Sequence, residues 1–258
     1  MSAPILSATG LSKNFGGLNA VDNVDLSCAL DTVHAIIGPN GAGKTTLINL
    51  LSGDLAPSSG EITYRDRDIT ALPAHRVSRL GIGRSYQRTH IFPEFTCWQN
   101  CWLAAQSREP SSLRFFRPAN AALAVRQRTE QALATAGLDS RADTIAATVS
   151  YGEQRQLEIA MLLAMEPDVL LLDEPLAGMG PEESVQVVEL IRRITPGYAV
   201  VLIEHDMDAV FAVADVLTVM VDGVVLESGV PEMVRQSTGV REAYLGVGAA
   251  AADTGCEL

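Results

Sequence analysis

The run Gly38-Pro39-Asn40-Gly41-Ala42-Gly43-Lys44-Thr45 fits G-x-x-x-x-G-K-[ST] at every fixed position. Glycines allow the backbone to curl around an anion with its N–H groups pointing inward, and a helix starting there adds its positive dipole end. Lys44 supplies a point charge and Thr45 a hydroxyl for Mg²⁺; with the adjoining Thr46 these residues make a candidate phosphate cradle. The bland alternative is a glycine-rich turn. Context favours the cradle, because Val33 to Ile37 reads as a short buried strand and Leu47, Leu50 and Leu51 mark the inward face of a following helix.

A second group of residues complements the first. Val169-Leu170-Leu171-Leu172-Asp173-Glu174 sets two carboxylates at the tip of an apolar strand, where ligands bind in open α/β sheets. Asp173 would hold Mg²⁺ through water, and Glu174 would orient and deprotonate the water attacking a γ-phosphate. Alone, an Asp-Glu-Pro turn is common in any α/β protein; paired with the phosphate loop it gains meaning. Ala199 to Ile203 forms another strand and delivers Glu204-His205-Asp206 at its end, so the His205 imidazole could reach the same phosphate, although a lone strand-end histidine is usually structural. Gln87 could reach metal and attacking water with its amide. Phe15 either stacks on adenine or fills a β-meander core.

The elements that must position these groups follow from patterning. Short alternating runs from Ile5 to Leu26, broken at Gly16-Gly17, predict antiparallel strands and a hairpin, with another strand at Glu61 to Arg65. From about Arg88 to Val149 the texture is helical: Thr96 to Gln106 carries Trp98 and Trp102 on one face, and Ala121 to Ala136 stops at Gly137. Ser107 to Pro118, with Leu113, Phe115 and Phe116, reads either as a loop or as an apolar contact surface. Helices at Ser150 to Met165, Pro181 to Ile194 and Asp206 to Ala214 alternate with the strands Val169 to Leu172, Ala199 to Ile203 and Val216 to Val221. Asp222-Gly223 signals a hairpin, and Ala249 to Ala252 reads as a tail. The expectation is a parallel α/β core interrupted by a helical insertion.

Composition narrows the function classes. With 258 residues, 47% of them apolar, the chain can bury a substantial core. Its 19 basic and 31 acidic residues give a net charge of −12 without a basic run, which argues against nucleic acid or an anionic membrane surface as main partner. No apolar run is long enough to span a bilayer, and Met1 to Gly10 does not read as a secretory leader, so a cytosolic chain is expected. The cysteines at 28, 97, 101 and 256 form no disulfide framework; Cys97 and Cys101, four apart on a helix, are expected to be buried thiols rather than a metal half-site.

The order of motifs, from phosphate loop through Gln87, Val149-Ser150-Tyr151-Gly152-Glu153-Gln154 and Leu172-Asp173-Glu174-Pro175 to His205, resembles an ATP-binding cassette over roughly residues 5 to 235. Ser150-Tyr151-Gly152-Glu153 resembles the L-S-G-G-Q signature, in which Ser150 is a helix N-cap candidate and the Gly152 amide lies at a helix start. The resemblance implies a phosphate-loop NTPase (RecA-like) α/β fold: a parallel-sheet core with an N-terminal antiparallel β subdomain (residues 1–88 and 154–258) and an inserted helical subdomain (89–153). It also implies ATP and Mg²⁺ as ligands and a dimer, homomeric or heteromeric, in which Ser150 and Gly152 close over the partner's nucleotide.

Within the family, Gly81-Ile82-Gly83-Arg84-Ser85-Tyr86-Gln87, Leu176-Ala177-Gly178-Met179, Ile203-Glu204-His205-Asp206-Met207 and Tyr244-Leu245-Gly246 are similar to the ATPase subunits of bacterial importers for branched-chain amino acids, urea and amides. That likeness implies membrane permease partners, a periplasmic binding protein acting indirectly, and a peripheral place on the cytoplasmic face. His90-Ile91-Phe92-Pro93 and the Phe115-Phe116 region are candidate permease-facing surfaces. Three positions depart from the family pattern: Tyr151 for the first signature glycine, Glu153 for glutamine, and Gly180 where many cassettes carry aspartate. The competing class, a soluble cassette ATPase on ribosomes or DNA, would carry two cassettes, sustained heptads or a basic patch. A phosphate-loop kinase explains neither the signature nor His205.

Overall fold

The computed structural model describes residues 3–87, 90–109 and 119–240. In chain order the elements are β1 (Pro4–Phe15), β2 (Leu18–Ala29), β3 (Thr32–Ile37), α1 (Lys44–Leu51), β4 (Ser59–Tyr64), β5 (Arg67–Asp68), α2 (Ala74–Leu80) and β6 (Ile82–Arg84). Then come α3 (Cys97–Ser107), α4 (Ala119–Ala136), α5 (Tyr151–Ala164), β7 (Val169–Asp173), α6 (Pro181–Ile194), β8 (Ala199–Ile203), α7 (Met207–Val213), β9 (Val216–Val221), β10 (Val224–Gly229) and α8 (Pro231–Gln236). The Phe115-Phe116 and Tyr244-Leu245-Gly246 segments, Ala249 to Ala252 and Cys256 lie outside the described residues.

One sheet is six-stranded, in the order β10-β9-β3-β8-β7-β6, and its strands are parallel except for β10. Every residue of β7 and β8 is buried, because helices cover one face and the antiparallel sheet covers the other; continuous Val, Leu and Ile suit that place. The other sheet, β2-β1-β4-β5, is four-stranded and antiparallel. Where the sequence pattern has no apolar run, at Ile82–Arg84, the structure adds a strand: β6 pairs in parallel with β7 at the edge of the large sheet. That edge position carries the chain toward Gln87.

Helix signals in the sequence act as capping chemistry predicts. Thr96 accepts from the Gln99 amide while Gln99 accepts from the Thr96 amide, a capping box that starts α3. Helix α6 buries Val187, Leu190, Ile191 and Ile194, the i, i+3, i+4, i+7 stripe of an amphipathic helix, with acidic residues in its first turn and arginines in its last. Trp98 and Trp102 stack with centroids 4.7 Å apart beside the helical core cluster. Cys97 and Cys101 are buried in that cluster, and among the described residues no three His, Cys, Asp or Glu side chains group as a metal site. Burial pushes the Cys28 thiol up to about 12.

A directional hydrogen-bond chain stitches the two sheets together. His34 Nδ1 faces the Ser27 carbonyl at 3.1 Å, so it must be the protonated nitrogen; Nε2 therefore accepts from the Thr218 hydroxyl at 2.7 Å. Thr218 Oγ1 in turn accepts from Ser228 Oγ at 2.7 Å. Burial holds the His34 pKa below its ordinary value of 6.5. The unfolded chain thus takes up a proton at a pH where the folded chain does not. His34 contributes full stability above about pH 6.5 and loses it as pH falls toward the lowered folded value. We expect the urea midpoint to fall more steeply below pH 6.5 in the wild type than in His34→Gln; parallel slopes would rule His34 out as the cause.

Candidate functional site

The phosphate loop leaves the C-terminal end of β3 and enters α1 through Gly43, whose φ of 95° is in the left-handed region. A Cβ there would stand 2.2 Å from the Ala20 carbonyl oxygen, so only glycine fits. Helix α1 has no side-chain cap and no acidic residue in its first turn. Its leading N–H groups therefore offer an anion site that no side chain among the described residues fills. Lys44 is 7% exposed, and its Nζ donates to the carbonyls of Gly38 (2.6 Å) and Pro39 (3.0 Å). Burial lowers the Lys44 pKa, against the opposing pull of the Glu174 and Asp173 carboxylates.

Those carboxylates end β7. Glu174 has a φ of 48°, rare for a non-glycine residue, and its amide donates to the Ile203 carbonyl at 2.9 Å. Its Oε2 accepts from Gln87 Nε2 at 2.9 Å. Asp173 lies deeper: its amide donates to Ser85 Oγ at 3.2 Å, and Arg84 Nη2 stands 3.4 Å from its Oδ2. Burial raises the Asp173 pKa and the Arg84 guanidinium draws it back down. Arg84 also pairs with Asp54 at 2.7 Å; β6 runs beside β7 in register, which brings the same guanidinium near Asp173. Sequence reading missed Arg84 and Asp54 as supports of Asp173; the signal was a charged residue two positions before Tyr86, in a stretch short of apolar residues.

A cavity of about 630 Å³ gathers the parts: Phe15, the run Asn40 to Thr46, Gln87 and Glu174 line it. Phe15 is half exposed at its rim, with Lys13 Nζ 5.3 Å from the ring centroid, and so does not fill a β-meander core. An uncapped helix start, a buried cation and a carboxylate–amide pair on one wall are the donor set a nucleoside triphosphate with Mg²⁺ would need, and the residues fit both groups.

Other predicted residues stand outside the cavity wall. Gly38 and Pro39 act behind it, as carbonyl acceptors for Lys44. The His205 side chain is 66% exposed, with Nδ1 3.8 Å from Glu204 Oε2. Ser150 caps α5 by accepting from Glu153, and Glu153 reaches back to the Ser150 amide; glutamate serves this box as well as glutamine, which accounts for that departure. The Gly152 amide does hold an anion, but one from its own chain: Glu183 Oε1 of α6, at 3.1 Å. Gly180 is the residue before α6, and its amide lies 3.4 Å from the same carboxylate's Oε2.

Comparison with known proteins agrees with this geometry. The family model described as ABC transporter matches residues 21–177. The chain is 38% identical over 256 residues to the high-affinity branched-chain amino acid transport ATP-binding protein LivG of Escherichia coli (strain K12), covering 95% of this chain and 99% of LivG. To the protein BraF of Pseudomonas aeruginosa, which carries the same description, it is 39% identical over 254 residues, with 95% and 99% covered. The crystal structure of the ADP conformation of MJ1267, an ATP-binding cassette of an ABC transporter, superposes with a TM-score of 0.82 at 28% identity, covering 95% of this chain and all of that one. With its phosphate loop, strand-end carboxylates and mixed-sheet fold, this chain belongs to the ABC transporter family as an ATP-hydrolysing cassette.

Proposed function

We propose that the chain is the ATP-hydrolysing subunit of an importer for branched-chain amino acids or related small solutes. The observation that carries the catalytic part is the single cavity joining the Asn40 to Thr46 cradle to Gln87 and Glu174. The solute class rests on similarity to LivG and BraF over almost the whole chain.

In this reading the amides of Gly41 to Thr46 and the Lys44 ammonium hold the β- and γ-phosphates, and Phe15 stacks on the base. Thr45, Asp173 and Gln87 would hold Mg²⁺, which would supply positive charge to offset the negative charge of the phosphates. Glu174 orients and deprotonates the attacking water, Gln87 fixes the Glu174 carboxylate through the 2.9 Å contact, and His205 supports hydrolysis from the end of β8. Ser150 and Gly152 serve the nucleotide of a second cassette, so two ATPase subunits close head to tail; Glu183 leaves the Gly152 amide as that phosphate arrives.

The helical insertion, residues 89–153, moves against the rest of the chain, 1–88 and 154–258, and transmits closure to the permease. Its exposed Phe92 and Phe95 stack at 5.3 Å and form the permease-facing surface with Ile145. Among the described residues no helix is long and apolar enough to cross a membrane, and we assign the chain a peripheral place on the cytoplasmic face. A solute-binding protein acts only indirectly, through the permease, and nucleic acid is not a partner.

The test is recovery of the tagged full-length chain from membranes of its source. Integral-membrane permease subunits should co-purify and stimulate its ATP turnover; recovery with ribosomal RNA and no membrane protein would overturn the transport reading.

A further inference from the structure

Arg155, on the first turns of α5, is 2% exposed and touches neither phosphate loop nor cavity. A buried guanidinium needs reasons, since its desolvation must be offset by partners. Its Nη1 donates to the Tyr86 carbonyl at 3.0 Å and to Glu158 Oε2 at 3.0 Å. Its Nη2 donates to the Gln87 carbonyl and, at 3.1 Å, to the Tyr151 hydroxyl oxygen, whose ring lies 5.5 Å away. Glu158 extends the attachment, because its Oε1 accepts from the His90 amide at 3.3 Å. Tyr86, Gln87 and His90 are thus bound to α5 by one Arg–Glu pair.

The geometry has a specific consequence. Gln87 offers its side-chain amide to Glu174 and its backbone carbonyl to Arg155, so it is held from both ends. Tyr151, where a signature glycine is usual, supplies an acceptor that glycine lacks. We propose that Arg155 is a positioning residue that sets the Gln87 backbone for its contact with Glu174 and couples displacement of that backbone to Tyr151 at the start of α5. A planar fork is required: a lysine ammonium is a single point charge and cannot span both successive carbonyls together with Glu158 and Tyr151. The inference rests on the proposed part of Gln87 and Glu174 in hydrolysis.

A double-mutant cycle on basal ATP turnover of the purified full-length chain tests it. Arg155→Lys keeps the charge beside Glu158, and its melting temperature and KM for ATP should stay near wild type while kcat falls about tenfold. Gln87→Ala should also lower kcat, and adding Arg155→Lys to it should cost nothing further, because Arg155 acts through Gln87. Losses that multiply in the double variant, to about a hundredfold where each single loss is about tenfold, would make Arg155 an independent structural support and sink the inference. If Gln87→Ala alone leaves kcat unchanged, the reading of Gln87 fails and takes this inference with it. Tyr151→Phe removes only the hydroxyl acceptor; a kcat unaltered in that variant would overturn the Tyr151 part of the coupling.

Discussion

Glu174→Gln should lower ATP turnover about a thousandfold and leave nucleotide affinity almost unchanged. The carboxylate is on the cavity wall, and its only side-chain partner among the described residues is a donor, Gln87 Nε2 at 2.9 Å, which glutamine can still satisfy with its own carbonyl oxygen. The substitution therefore preserves shape and the Gln87 contact while removing the group that takes a proton from water. Loss of a positioned general base is worth about 10²–10⁴ in rate. Phosphate release in the steady state reads the first effect and fluorescent-nucleotide titration the second. Turnover within about threefold of wild type would remove Glu174 from the role of base and return attention to His205.

The sequence revealed most clearly those features whose physical cause is local. β7 and β8 are runs of Val, Leu and Ile because a strand covered on both faces has no polar side to show. The cradle was legible because its glycines answer to backbone sterics, as the Gly43 approach to Ala20 makes plain. Illegible were residues whose meaning comes from a distant partner. Glu204 stands between a strand end and His205, where chemistry was expected, yet it is fully buried and accepts from the amides of Leu176 and His205. Asp206, its neighbour, caps α7. Polar residues at a strand tip can thus serve the backbone as readily as a substrate, and only their hydrogen-bond partners distinguish the cases.

Arg84 and Arg155 escaped for the converse reason. Each is a charge with partners beyond its own element, Asp54 and Asp173 for one, Tyr86 and Gln87 for the other. A trace existed in α5, where Arg155 and Glu158 sit three apart among mostly apolar buried positions; opposite charges inside such a helix mark an internal pair. What they hold lay beyond reach, because strand β6, which carries the chain past Asp173 to Gln87, is three residues long and leaves no periodicity to read.

Lys44→Ala should weaken ATP binding about a hundredfold and stop measurable hydrolysis. Part of the effect is the lost donor: a charge-assisted contact to phosphate is worth about 1.5–3 kcal/mol, and about 2.7 kcal/mol corresponds to the expected change in affinity. The other part comes from what Lys44 leaves behind. Asp173 and Glu174 both pull on its titration, so its removal exposes the incoming polyphosphate to two carboxylates whose field it had offset. Lys44 also ties the Gly38 and Pro39 carbonyls, and its loss loosens the loop whose amides bind the anion. Lys44→Met separates these causes, because the apolar stem stays while charge and donors go. Calorimetric titration should find Met as damaging as Ala if charge dominates; Met binding ATP near the wild-type affinity would mean that Lys44 matters only through packing. The carboxylate contribution has its own signature: ATP should lose more affinity than ADP, since the γ-phosphate carries the extra charge toward Glu174. Equal losses for the two nucleotides would refute that placement.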